Sequence, residues 1–184
     1  SIAARALGLV AAATLAAGPL AAAPAEASVA TEGKVLASVL TVRYAPTTHS
    51  TALGSFTKGK VIPLSCKVVG PSVDGNNIWY SLPPTTHEWV SARYVQPLDG
   101  TVPWCRGLAK TTGQATVALS KRTGPSTLNA RVGSYAKGAT FTIICKVNNQ
   151  RVDGNNLWYW TSEKRWVSAR YVKNVDKIPT HCSS

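Results

Sequence analysis

The 184-residue chain carries 20 Lys and Arg against 8 Asp and Glu, a formal net charge of +12, with 45% hydrophobic residues, four cysteines and no methionine. A field of that sign draws polyanions and speeds their encounter in a salt-dependent way. The cysteines contain no C-x-x-C pair, which argues against a zinc site of the usual ligand spacing.

In chain order, the first element is an alanine- and leucine-rich stretch from Ile2 to Ala27 with one basic residue, Arg5, ending in Ala25-Glu26-Ala27. The small-x-small ending is that of a signal-peptidase site, so residues 1–27 are expected to be an export signal and the mature chain to begin near Ser28. Gly18-Pro19 breaks the apolar run, which is too short for a membrane-spanning helix. No integral membrane segment is expected in the mature chain.

Beyond the signal the sequence repeats. Val73-Asp74-Gly75-Asn76-Asn77-Ile78-Trp79-Tyr80 and Trp89-Val90-Ser91-Ala92-Arg93-Tyr94-Val95 return as Val152-Asp153-Gly154-Asn155-Asn156-Leu157-Trp158-Tyr159 and Trp166-Val167-Ser168-Ala169-Arg170-Tyr171-Val172. A shift of 79 also places Leu40 on Leu119, Arg43 on Arg122, Pro46 on Pro125, Gly54 on Gly133 and Cys66 on Cys145; after a loss of two residues the shift becomes 77 and places Cys105 on Cys182. The structural unit is therefore half the apparent chain, used as a pair. The expected division is residues 28–105, a linker over 106–113, and residues 114–184.

Within the first unit, Leu40–Arg43, Ala52–Phe56, Val61–Val69, Ile78–Leu82 and Glu88–Val90 are rich in β-branched and aromatic residues. Turn signals separate them: Ala45-Pro46-Thr47-Thr48, Lys58-Gly59, Asp74-Gly75-Asn76-Asn77 and Pro83-Pro84. No segment holds a helical apolar period over three turns. Several short strands in so few residues predict an all-β fold of two small barrels, which close their sheet edges around one core each. Four cysteines in an exported chain read as a disulfide framework. Of the three possible pairings, the repeat selects Cys66 with Cys105 and Cys145 with Cys182, so that each unit closes itself.

The order Leu40, Val42-Arg43, Pro46, Gly54, Lys58-Gly59, Cys66, Asp74 through Tyr80 and Trp89 through Val95 resembles the bacterial Src-homology-3-like (SH3b) domain of secreted and cell-wall proteins. The second unit matches at Leu119, Arg122, Gly124-Pro125, Gly133, Lys137-Gly138, Cys145, Asp153 through Tyr159 and Trp166 through Val172, and departs at Lys121, where a valine is usual. The first unit departs at Ala45, which replaces the glycine seen at Gly124, so its first loop is expected to differ in shape. The resemblance implies tandem SH3-like barrels and a secreted binding module that holds its bearer on the bacterial wall. It also implies a groove between loops on the side of the barrel for peptidoglycan peptide or another wall polymer.

Charge adds to this. After Ala27 the first repeat, to residue 105, has 6 Lys and Arg against 4 Asp and Glu, while residues 106–184 have 13 against 3. Lys121, Arg122, Arg131, Lys137, Lys164 and Arg165 are the cations expected to attract an anionic wall polymer. Nucleic acid suits the charge but not the export signal. The expected groove residues are Tyr44, Asn76, Asn77, Trp79, Asn155, Asn156, Trp158 and Trp160. Trp158 and Trp160 share one face of a strand and Tyr159 the other, so at least one large aromatic is expected to reach solvent. Trp89 and Trp166 are expected in the core.

His49, His87 and His181 have no repeat counterparts, and Asp74 and Asp153 sit before glycines in turns, where they are favoured for backbone reasons. No paired carboxylates, cysteine–histidine pair or metal-ligand cluster is legible, so neither catalysis nor a cofactor is expected. The reading is a monomeric, secreted, non-catalytic protein that attaches to peptidoglycan or an anionic wall polymer. The alternative is a secreted protein-interaction module, an inhibitor or accessory subunit of an extracellular enzyme.

Overall fold

The computed structural model describes residues 31–183; the expected signal, residues 1–27, lies outside them. The described chain is all-β apart from two short 3-10 turns. Its strands are β1 (Thr31–Val35), β2 (Val39–Arg43), β3 (Ala52–Thr57), β4 (Val61–Leu64), β5 (Lys67–Val73), β6 (Asn76–Ser81), β7 (Trp89–Ser91) and β8 (Val95–Pro97), followed by β9 (Thr111–Ala115), β10 (Leu119–Arg122), β11 (Arg131–Tyr135), β12 (Thr140–Val152), β13 (Asn155–Thr161), β14 (Trp166–Ser168) and β15 (Val172–Asn174).

The second repeat forms one antiparallel sheet in the order β11-β10-β14-β13-β12-β9-β15. The first has the same order divided in two, β3-β2-β7-β6-β5 and β4-β1-β8. The division falls at Ser65-Cys66, where Ser65 N donates to Ser81 O and Ser81 N donates to Cys66 O, so that two residues oppose one. The equivalent irregularity lies between Ile143 and Cys145, and there β12 runs through it as a bulge. The expected single run Val61–Val69 is therefore β4 plus β5 in one repeat and part of a continuous strand in the other.

Asp74 and Gly75 have φ of 45° and 84°, Asp153 and Gly154 of 44° and 86°. Two consecutive positive φ values make the tight hairpin turn whose twist matches its strands, and Asp-Gly is its preferred chemistry. Ser91 and Ser168 then cap the 3-10 turns Ala92–Tyr94 and Ala169–Tyr171, each accepting a bond from the arginine N–H two residues on.

The disulfides are Cys66–Cys105 and Cys145–Cys182, the pairing the repeat register selects. They lie in a buried cluster that draws on both repeats: Val68, Trp79 and Trp89 from the first meet Val147, Trp158, Trp160 and Trp166 from the second. Each repeat also has its own cluster, around Leu40, Ile62 and Val90 in one and Leu119, Ile143 and Val167 in the other. Two buried hydrogen bonds cross between repeats, Trp166 Nε1 to Val69 O at 2.7 Å and Asn129 Nδ2 to Thr47 Oγ1 at 3.1 Å. The stretch expected as a linker is bound down: Arg106 exchanges backbone bonds with Ser183, Gly107 N donates to Ile144 O, and β9 begins at Thr111.

Despite Ala45, the first loop is built alike in both repeats. Tyr44 N donates to Thr51 O as Thr123 N donates to Ala130 O, and Thr47 N to Ala45 O as Ser126 N to Gly124 O. What differs is the neighbour. A Cβ at Gly124 would lie 2.4 Å from Asn129 Oδ1 and 2.8 Å from Pro71 Cδ of the other repeat. The position equivalent to Asn129 is Ser50, a shorter side chain that leaves room for the Ala45 methyl. Gly124→Ala is expected to destabilise by about 1–3 kcal/mol through overpacking. Adding Asn129→Ser should recover part of that loss, so that urea unfolding of the double-mutant cycle shows coupling well above zero.

Candidate functional site

Each repeat carries a groove, and the two grooves are built from equivalent residues. In the first repeat it is lined by Leu40, Thr41, Arg43, Thr48, Val73, Trp79, Ser91 and Tyr94, together with Val39. In the second it is lined by Leu119, Ser120, Arg122, Thr127, Val152, Trp158, Ser168 and Tyr171, together with Val117 and Ala118. All eight core members of one set fall on those of the other under the sequence register. The cavities measure about 120 Å³ and about 380 Å³ respectively, so the second has room for a small ligand and the first is narrower.

The floor is the edge of an indole. Trp79 Nε1 donates to Pro71 O at 3.0 Å and Trp158 Nε1 to Gln150 O at 2.9 Å, again equivalent bonds, which fix both rings. Leucine and valine complete the apolar wall. On the rim, Tyr94 donates to Asp74 Oδ2 and Tyr171 to Asp153 Oδ2 across the hairpin turn. These bonds, with some help from desolvation, hold both phenols above the usual tyrosine range and keep them protonated.

The arginines of the grooves hold the loops that form the other wall. Arg43 Nη1 donates to Ser50 O at 2.9 Å; Arg122 Nη1 donates to Thr127 O and Asn129 O, both at 2.9 Å. Burial and then Arg131 lower the Arg122 pKa. In the second repeat the loop is further tied by Gln150 Oε1, which accepts from Ser126 Oγ, Thr127 N and Thr127 Oγ1. The site thus offers a short apolar trough with hydroxyls and one Asp–Tyr pair along its edge.

The expected groove residues are only partly here. Trp79 and Trp158 line the grooves, but at 1% exposure each they show only an edge. The expectation that an aromatic of Trp158-Tyr159-Trp160 reaches solvent fails, since these three are buried at 1%, 3% and 3% exposure. Tyr159 faces the second repeat's own core, while Trp158 and Trp160 face the first repeat, which covers the side that a lone repeat would leave open. Asn76 and Asn155 use their Oδ1 atoms to accept from Ile78 N and Leu157 N within the turn, and Asn77 and Asn156 line neither groove. Tyr44 stacks on His87 with ring centroids 5.1 Å apart, at the junction of the repeats and outside the grooves. Sequence reasoning missed Leu40, Thr41, Thr48, Val73, Ser91 and Tyr94 with their counterparts; the signal present was the repeat itself, which keeps them all in register.

The expected cations also separate. Lys121 Nζ is 2.8 Å from Glu163 Oε2 and 4.7 Å over the Tyr135 ring. Tyr135 donates to the other Glu163 oxygen at 2.8 Å, so Lys121 and then Tyr135 hold that carboxyl below its usual range. Burial first, then the bond to Glu163, pushes the Tyr135 phenol up to about 12. Lys121 is therefore committed to its neighbours. Arg122 lines the groove, Arg131 donates to Gly133 O, Lys137 is exposed, Arg165 donates to Lys164 O, and Lys164 reaches Trp104 across the junction.

His87 and His181 meet edge to face at 5.2 Å, one from each repeat. Burial, then Lys146, then His87 lower the His181 pKa. A histidine whose folded pKa lies below its unfolded value of about 6.5 leaves stability intact above that pH and subtracts from it as pH falls through the window down to the folded pKa. Urea midpoints are expected to drop as pH falls from about 7 to 5, and His181→Gln should flatten that slope.

Comparison with known proteins gives distant likenesses. No family model matches the chain, and no curated protein matches it. Among solved structures it is similar to the endolysin LysPBC5 CBD, with a TM-score of 0.32 and 13% identity over 83% of this chain and 98% of that one. NlpC2 from Trichomonas vaginalis aligns with a TM-score of 0.28 and 7% identity over 79% of this chain and 48% of that one. NlpC1 from the same organism aligns with a TM-score of 0.28 and 9% identity over 88% and 53%. The chain thus spans about half the length of the two NlpC proteins, and at these scores the likenesses carry no argument about function.

Proposed function

We propose that the protein is a secreted, non-catalytic binding protein that attaches to the bacterial cell wall through two SH3-like units, with a peptide segment of peptidoglycan lying in the repeat-equivalent grooves. The observation that carries this reading is the pair of equivalent grooves: eight positions kept in register line an apolar trough edged by hydroxyls and a protonated tyrosine. Such a trough suits short aliphatic side chains and backbone amides better than a highly charged polymer. The motif resemblance to SH3b domains and the two disulfides of an oxidising compartment support the same reading. Two like sites in one chain gain by avidity on a repeating polymer.

The test is co-sedimentation with peptidoglycan sacculi stripped of anionic polymers, in roughly 1 M salt, where the Debye length is about 3 Å and general attraction is screened. The protein is expected to sediment. Thr41→Tyr with Ser120→Tyr places a bulky, strand-compatible side chain in each groove, and sedimentation should fall by about tenfold or more as avidity is lost. Undiminished sedimentation of the double variant, or none of the parent protein, would overturn the reading.

A further inference from the structure

The junction between the repeats has two sides related by the same register, and they have diverged. On one side Trp104 from the closing segment of the first repeat meets Lys164 from the β13–β14 turn of the second. On the other, His181 from the closing segment of the second repeat meets His87 from the β6–β7 turn of the first. Trp104 corresponds to His181, Lys164 to His87, and Trp160 to Ser81.

The Trp104 side encloses a cleft of about 320 Å³ lined by Trp104, Trp160, Arg106, Lys110 and Lys164 among others, with no acidic residue in its wall. Trp104 is 40% exposed, a large aromatic left open to solvent. It is nevertheless held in place. Cys105 beside it is in a disulfide, Lys67 N donates to Pro103 O at 2.8 Å, and Cys105 N donates to Lys67 O at 2.9 Å. Its ring lies 6.0 Å from Trp160 at 26°, with Lys67 Nζ 5.0 Å and Lys164 Nζ 4.3 Å from its centroid. Trp160 is 3% exposed, and its Nε1 is a buried donor with no acceptor. Among the described residues the one ion pair is Lys121–Glu163, so none of the cleft's cations is neutralised by a carboxylate.

An anchored open ring and three cations in one wall ask for a ligand with several acceptor oxygens and more than one negative charge. We propose that this cleft is a second binding site, separate from the two grooves, for phosphate ester groups carried on a polyol or sugar chain. The phosphate oxygens take up Arg106, Lys110 and Lys164, and the carbon skeleton lies against Trp104. A guanidinium fork and ammonium groups match phosphate geometry, and an anchored ring loses little freedom when the ligand arrives. The site does not depend on the groove reading, because no residue of either groove lines it.

The experiment is a tryptophan-fluorescence titration of the full chain with purified poly(glycerol phosphate), with glycerol 3-phosphate, and with polyglutamate as a carboxylate polyanion. Lys110→Gln with Lys164→Gln is expected to weaken poly(glycerol phosphate) binding by about tenfold or more, the size of a lost charge-assisted contact. Lys60→Gln with Lys173→Gln removes the same charge from elsewhere on the surface and should cost under about threefold. By titration calorimetry, which needs no indole reporter, Trp104→Ala should weaken poly(glycerol phosphate) binding while Trp104→Phe retains most of the affinity. Binding of glycerol 3-phosphate with the same variant pattern assigns the site to a single phosphate group; binding of the polymer alone assigns it to the chain, and both support the proposal. Equal losses in the two lysine pairs, or polyglutamate binding as tightly as poly(glycerol phosphate), would overturn it.

Discussion

Trp166→Ala is expected to leave the whole chain largely unfolded, not only the second repeat. The ring is fully buried, and emptying such a site costs about 3–5 kcal/mol. Its Nε1 also donates to Val69 O of the first repeat, and a buried carbonyl left without its donor costs about 1–3 kcal/mol more. Set against a typical stability of about 5–15 kcal/mol, the sum removes most of what holds the native state. The repeat supplies an internal control. Trp89 occupies the equivalent position, is equally buried, and its Nε1 has no partner, so the hydrogen bond exists on one side of the junction only. Trp166→Phe should therefore lower the urea midpoint more than Trp89→Phe, by the equivalent of about 1 kcal/mol. Because the cluster of Trp79, Trp89, Trp158, Trp160 and Trp166 belongs to both repeats, tryptophan fluorescence and far-ultraviolet circular dichroism should report one coincident transition. For the same reason residues 28–105 alone are expected not to fold stably, since they would bare Val68, Trp79 and Trp89 to water.

Cys66→Ala with Cys105→Ala is expected to destabilise the chain by about 4 kcal/mol in the chain-entropy picture, for a loop of 39 residues. The second bridge closes 37 residues, so Cys145→Ala with Cys182→Ala should cost nearly the same. At about 2–4 °C per kcal/mol for a protein of this size, each loss lowers Tm by roughly 8–16 °C. The bridges are buried in the shared cluster, so removing either should destabilise both repeats together. The two calorimetric shifts check this directly. Two separate transitions in either variant would show that the repeats melt apart.

The strands that bound the grooves were legible because their signals are local. Asp74-Gly75 and Asp153-Gly154 announce the hairpin turn, and the β-branched runs mark β2, β5, β6 and their partners. Strands β1 and β9 were not, because the middle inward position of each is a glycine, which leaves too few apolar side chains to mark an alternation. A Cβ at Gly33 would meet Val95 Cγ1 at 2.6 Å, and one at Gly113 would meet Val172 Cγ1 and Ile143 Cδ1 at 2.8 Å. The short β8 and β15 pair with β1 and β9, and went unread with them.

The aromatics misled for a different reason. Strand alternation tells which residues share a face, not what covers that face. For Trp158 and Trp160 the cover is the other repeat, so their burial depends on a packing partner many residues away. Conversely Trp104, a residue before a cysteine whose counterpart in the second repeat is His181, is the tryptophan left open. The unrepeated residues His87, His181, Trp104 and Lys164 collect at the junction, where two contacts related by the repeat register have diverged.

The repeat-equivalent grooves are proposed as the binding surface. The most direct measurement is a proton–nitrogen NMR titration of the isotope-labelled protein with a soluble peptidoglycan stem peptide. Saturable shifts are expected at Ser120, Thr127, Ser168 and Tyr171, with weaker, slower-saturating shifts at Thr41, Thr48, Ser91 and Tyr94, whose groove is about 120 Å³ against about 380 Å³. Saturable shifts confined to residues outside both grooves, or no shifts at any peptide concentration, would contradict it.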